Sequence, residues 1–172
     1  MAPQVMAPGS CHPRLIEAGL PIDSISATIH GETHDYGDFS VDVVPADHTN
    51  SVAAAVNTDA CGYLLRTSHG NFYLPGDGRF DHEGKAHIAQ MDVDYLLVPI
   101  NDTNLGVGFA ALLTHILQPR VVVPCHYGYT YPPVRSQGGH PAEFVTALAA
   151  RGYDMPTTDI VILSPGGRLV LA

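Results

Sequence analysis

Short apolar runs separated by glycine- and proline-rich breaks dominate the chain, and their spacing predicts a mixed fold. Phe39, Val41 and Val43 alternate with Ser40 and Asp42, the period of two of a strand with one buried face, over 39–44. Ile25 to Ile29 reads as a strand as well, with Gly31 to Asp38 as the turn between the two. Ahead of them, Pro13 to Ala18 predicts a short helix, with Ser10 as its cap and Gly19-Leu20-Pro21 as its stop. Gly62 to Thr67 and Asn71 to Leu74 form a hairpin around Ser68-His69-Gly70, which delivers the chain to Gly76-Asp77-Gly78.

Beyond that point strands and helices alternate. Val93 to Ile100 is continuously apolar, as in a strand buried on both faces, and so is Val121 to Val123. Phe109 to Leu117 has helical spacing, with Phe109, Leu112, Leu113, Ile116 and Leu117 as core contacts and Pro119 as terminator. Pro141 opens a second helix to about Arg151, with Phe144, Val145 and Leu148 facing inward and Gly152 ending it. Ile160 to Leu163 and Leu169 to Leu171 predict a closing hairpin around Pro165-Gly166-Gly167. The class is α+β, one domain over 1–172, without internal repeats.

Composition narrows the function. With 45% hydrophobic and 15% charged residues in 172, the chain has enough apolar material for one core. Seventeen acidic against eight basic residues give a net charge of −9, which repels a phosphate backbone, so no nucleic-acid partner is expected. No run is long enough to span a membrane, and the start lacks a basic region followed by an apolar core, so a cytoplasmic protein is expected. Cys11, Cys61 and Cys125 are few and widely spaced, as free thiols are.

Three residues then stand out because each follows a short apolar run: His48, Asp77 and His126. A ligand at a strand end is held rigidly, and imidazole with carboxylate suits zinc, manganese or iron. Competing readings are a solvated loop histidine at His48, before Thr49-Asn50-Ser51, an ordinary Gly-Asp-Gly turn at Asp77, and a core histidine at His126. Asn101, Tyr127 and His140 are candidates for substrate contact, against roles in surface loops or in supporting neighbours. Cys125 neighbours His126 on a strand, so its side chain points to the opposite face and is read as inert. No Gly-X-Ser-X-Gly elbow is present.

The order of His48, Asp77 after a hairpin, and His126 after a strand, helix and strand resembles the C-terminal part of the metallo-β-lactamase superfamily. Within it, the ascorbate-6-phosphate lactonase type is similar in Gly62-Tyr63-Leu64, Tyr73, Gly76-Asp77, Val98-Pro99-Ile100-Asn101 and Pro124-Cys125-His126-Tyr127. The similarity runs from about Ala7 to the C-terminus. Gly78 departs from it, because the family usually has Thr or Ser there.

The resemblance implies an αββα sandwich with its N-terminal part missing. It also implies up to two divalent metal ions, zinc or manganese, with His48 on the first, Asp77 bridging and His126 on the second. The bridging water, as hydroxide, would attack a lactone, ester or phosphorylated small molecule. The family's His-X-His-X-Asp-His loop has no counterpart here, and His30-Gly31-Glu32-Thr33-His34-Asp35 is read as a turn. An incomplete chain is therefore expected to hold one weak metal ion, to have little activity and to associate with itself. Rival readings are a non-catalytic binding module on the same fold, and a nuclease akin to ribonuclease Z, which the acidity opposes.

Overall fold

Seven strands form one mixed sheet in the order β3-β4-β5-β6-β7-β8-β9, and a separate parallel pair joins β1 to β2. The computed structural model describes residues 4–48, 59–79, 82–101, 106–128, 139–150, 152, 157–164 and 166–171, with 82–84 by backbone alone. The expected Thr49-Asn50-Ser51 loop, Arg151 and Pro165 lie outside the described residues. In chain order the elements are β1 (Val5–Ala7), α1 (His12–Glu17), β2 (Ile25–Ala27), β3 (Thr33–Asp35), β4 (Phe39–Pro45), β5 (Cys61–Thr67) and β6 (Gly70–Leu74). They continue with α2 (His82–Ile88), β7 (Tyr95–Pro99), α3 (Gly106–Leu117), β8 (Val121–Cys125), α4 (Pro141–Ala150) and β9 (Asp159–Ile160).

The first four strands of the sheet are antiparallel neighbours, and from β6 onward every pairing is parallel. Parallel neighbours need crossovers, which α2, α3 and α4 supply. Period-two alternation sorts the side chains: Leu64, Tyr73, Leu96, Val98 and Val122 pack with Ile88, Ala110, Leu113, Phe144 and Leu148 in the main core. Tyr95, Val121 and Val123 face the other way, beside Phe72, Leu97, Leu163 and Leu171. Both faces of the parallel strands are thus apolar, which accounts for their unbroken hydrophobic runs.

Several expectations are corrected. Part of the supposed turn at 31–38 is strand β3, paired with β4 from Thr33↔Asp42 to Asp35↔Ser40. The chain reverses more tightly than composition suggested, because the Asp35 carboxylate accepts the Gly37 N–H at 2.8 Å. Val145 points outward at 40% exposure while Phe144 and Leu148 are buried, since positions four apart share a helix face and the intervening one does not. No closing hairpin forms among the described residues: Asp159–Ile160 pairs parallel with β8, and Leu169–Leu171 is not a strand. Ser10 does not cap α1, whose cap position is Cys11. Strand β1 and helix α2 were not anticipated.

What matters for function is direction. β5 runs antiparallel to both β4 and β6, so β4 and β6 point the same way, and β7 and β8 follow β6. Residues leaving the C-terminal ends of β4, β6, β7 and β8 therefore emerge at one edge of the sheet.

Candidate metal centre

Those four exits carry His48, Asp77, Asn101 and His126. Strand order alone would leave them apart, because neighbouring strands lie about 5 Å from one another and β4 is four strands from β8. Local structure closes the gaps. After β8 the chain turns at His126, whose φ of 53° is left-handed, and its Nδ1 lies 3.1 Å from Asp77 Oδ1. After β6, Gly76 takes φ 65°, a value that glycine adopts without penalty, and presents Asp77 to solvent.

His48 is tied to the same loop through its neighbour. Asp47 and Arg79 exchange two backbone hydrogen bonds of 2.8 and 2.7 Å, forming an isolated antiparallel bridge. Gly78 permits this approach, because a Cβ built on it would lie 2.6 Å from the Ala46 Cβ. Gly62 serves similarly at the start of β5, where a Cβ would lie 2.8 Å from the Leu74 carbonyl oxygen. The result is a cleft of about 390 Å³ whose lining includes both His48 and Asp77.

The donor set suits a borderline divalent cation. The Asp77–His126 separation of 3.1 Å is that of a direct hydrogen bond, and the two atoms would open to roughly 3.4 Å as ligands of one tetrahedral zinc bound at about 2.1 Å. Among the described residues no group of three or more His, Cys, Asp or Glu side chains is arranged to hold a metal ion. Asp77 thus meets His126 directly and lines a cleft with His48.

The remaining candidates divide by what they touch. Asn101 is half-buried just beyond β7, whose last residue Pro99 pairs with Cys125, so it stands beside His126 at the edge. Tyr127 donates its hydroxyl to the Leu163 carbonyl at 3.0 Å and packs on the main core. His140 caps α4: its Nδ1 accepts the Ala142 N–H at 3.1 Å, and the Glu143 carboxylate accepts the His140 N–H at 2.9 Å. In the 30–35 segment, the His30 imidazole meets the Ala60 carbonyl at 2.9 Å and His34 lies 3.4 Å from Glu32. Burial, with a smaller contribution from the Asp77 charge, pushes the Cys125 thiol up to about 11 and keeps it neutral.

Pattern reading missed one side of the cleft. Ser10 donates its N–H and its hydroxyl to the two oxygens of Asp59, each at 2.8 Å, which brings the N-terminal segment against the entrance to β5. Those bonds hold the Asp59 carboxyl below its ordinary 3.8. No local pattern signals this side; the register Pro45↔Cys61, which puts the start of β5 beside the end of β4, comes only with the fold.

An α/β protein with imidazole and carboxylate side chains gathered at the exit edge of one mixed sheet is the class that these features define. The profile of the beta-lactamase superfamily domain matches residues 8–126, well over half of the chain, and the chain belongs to that family. It is 31% identical over 145 residues to a UPF0173 metal-dependent hydrolase of Pyrococcus furiosus, covering 80% of this chain and 60% of that protein. A UPF0173 metal-dependent hydrolase of Methanopyrus kandleri is 26% identical over 153 residues, covering 86% of this chain and 64% of that protein. The chain therefore spans about 60–64% of the length of these relatives.

Solved structures agree on the fold. Igni18, a metallo hydrolase from Ignicoccus hospitalis, superposes with a TM-score of 0.69 at 22% identity over 97% of this chain and 67% of that one. CmlA, a diiron beta-hydroxylase from Streptomyces venezuelae, superposes at 0.67 with 14% identity over 98% of this chain and 39% of that one. One hydrolase and one hydroxylase share the architecture, so the chemistry has to be argued from side chains. Among the described residues no helix is long and apolar enough to cross a membrane.

Proposed function

We propose that this chain contributes His48, Asp77 and His126 as metal ligands to a metal-dependent hydrolase acting on a small lactone, ester or phosphorylated molecule. The observation that carries this reading is the Asp77–His126 contact of 3.1 Å, made across the intervening strand β7 by a histidine in left-handed conformation. A left-handed residue that brings its imidazole against a carboxylate at the exit edge supports a ligand position there. Held by His48, Asp77 and His126, a divalent cation would supply Lewis-acid chemistry, activating a water and polarising the oxygen of the bond under attack.

The chain's own residues do the rest. Asp77, between two glycines, offers its carboxylate with little obstruction from its own backbone. Asn101 supplies a neutral donor and acceptor for substrate beside His126. Tyr127 and His140 act from behind, by holding the segments that follow β8 and precede α4. The likeness to the ascorbate-6-phosphate lactonase type belongs to this proposal, as do zinc or manganese as the metal, a cytoplasmic location and the two-metal arrangement of a longer chain.

The test is metal content and hydrolysis for this chain, for Asp77→Asn and His126→Ala, and for a version extended upstream to the length of the relatives. One weakly held cation is expected here, lost in either variant, with activity much greater in the extended protein. Metal uptake that survives both substitutions combined would overturn the assignment.

A further inference from the structure

Two thiols flank the cleft from distant parts of the chain. Cys11 ends the 3-10 turn Gly9–Cys11 and is exposed, Cys61 opens β5 and is half-buried, and both line the cleft that His48 and Asp77 share. Hydrogen bonds lay the N-terminal segment along the start of β5. The Tyr63 hydroxyl donates to the Met6 carbonyl at 3.5 Å, the Thr28 N–H donates to the Ala7 carbonyl at 3.1 Å, and Thr28 Oγ1 lies 3.7 Å from Cys61 Sγ. Further along, the Cys11 N–H donates to the Pro8 carbonyl at 2.9 Å, while Ser10 is bonded twice to Asp59. Burial first, then the hydrogen bond with Cys61 and the charges of Cys61 and Cys11, raises the Tyr63 hydroxyl above its ordinary 10.0, so one phenol senses both sulfurs.

We infer that Cys11 and Cys61 form a reversible disulfide that closes the cleft over His48 and Asp77. The oxidant is a hydroperoxide. The exposed Cys11, as thiolate, attacks a peroxide oxygen: an S–O bond forms, the O–O bond breaks, and hydroxide leaves, taking up the thiol's proton as water. The Cys61 thiolate then attacks the sulfenic sulfur, so that the S–S bond forms, the S–O bond breaks, and hydroxide leaves with the Cys61 proton as a second water. The two sulfurs lose two electrons, and hydrogen peroxide gains them. A disulfide keeps its Cα atoms within about 7 Å, so the bond fixes the Gly9–Cys11 turn against the start of β5, across the cleft. A thiol reductant reverses it. Loss of metal on closure rests on the reading of this edge as a metal site, whereas the cross-link itself does not.

The metal-free chain, dilute enough to be monomeric, is treated with hydrogen peroxide and its remaining thiols are counted. Cleavage after Arg14, Arg66 and Arg120 then sorts Cys11, Cys61 and Cys125 into separate peptides for mass spectrometry. One Cys11–Cys61 disulfide per chain is expected, with Cys125 left free, and none in Cys11→Ser or Cys61→Ser. Amide hydrogen exchange over 76–78 should slow roughly tenfold in the oxidised protein and recover with dithiothreitol. Manganese(II), which prefers carboxylate oxygen to thiolate, reports the metal. Its uptake, read from the EPR signal of the free ion, should fall on oxidation of the unsubstituted chain and persist in both serine variants. No cross-link, one that joins two copies, or one that takes Cys125 overturns the inference. So does a Cys11–Cys61 bond that leaves exchange, or an existing manganese uptake, unchanged. Absence of manganese uptake by the reduced chain, with cross-link and protection both observed, defeats the metal reading alone.

Discussion

His126 holds φ 53°, a backbone conformation that costs a residue with a Cβ about 1–2 kcal/mol. Its imidazole contact with Asp77 gives that cost a purpose, so the two can be separated by substitution. In the metal-free protein His126→Gly should be more stable than His126→Ala by about 1 kcal/mol in urea, while both lose metal. Equal midpoints would show that the loop relaxes freely. At Gly78, serine would restore the family's hydroxyl but set its Cβ 2.6 Å from that of Ala46. Gly78→Ser should cost about 1–3 kcal/mol and weaken zinc binding, because Ala46 and Asp47 must move and carry His48 with them. Retained zinc affinity in a titration would detach His48 from this contact.

Asp59 supplies the pH test. Its folded carboxyl titrates below the ordinary 3.8 because of the Ser10 bonds, so its stabilising effect is complete above that value. The effect is lost as pH falls through the lower folded value. Ser10→Ala, which removes the hydroxyl bond and keeps the N–H one, should move the Asp59 titration part of the way back towards 3.8, as read by carboxyl NMR; an unmoved value would remove the Ser10 hydroxyl as a cause. At this scale the sequence singles out Asp77 and His126, since each follows an apolar run, and their contact is what the fold adds. The Ser10–Asp59 pair was not legible, because its partners are 49 positions apart and neither belongs to a periodic pattern.

Helices α3 and α4 and the inner strands were legible as elements because burial imposes a period on them, whereas α2 was not. Edges were not: β3 has few buried residues, and β9 is two residues long, so pairing with a neighbour rather than side-chain pattern makes them strands. The inner face of α4 was misjudged by one position. Phe144→Ala should therefore cost about 3–5 kcal/mol in denaturant unfolding. Val145→Ser should change stability by no more than about 0.5 kcal/mol. A large loss at Val145 would mean that its 40% exposure is covered by something further.

Among the described residues one seven-stranded sheet packs its helices over the main core, while the opposite cluster around Tyr95, Val121 and Val123 is flanked by partly buried Phe72, Leu97, Leu163 and Leu171. Leu74 at 39% and Ile162 at 53% exposure leave apolar surface open. Concentration-dependent association is expected in sedimentation velocity, and Leu74→Lys should shift it towards the monomer. A protein that stays monomeric at high concentration would count against an adhesive face.

Taken by itself, the sequence determined the inner strands and the residues that leave their ends, because side-chain period and turn chemistry are local properties. The meeting of those ends was decided in three dimensions. β4, β6, β7 and β8 deliver His48, Asp77, Asn101 and His126 to a common edge only because β5 reverses between β4 and β6 and the helices return each later strand in parallel. Pairing between distant strands sets that order and direction, and no local stretch of residues encodes it.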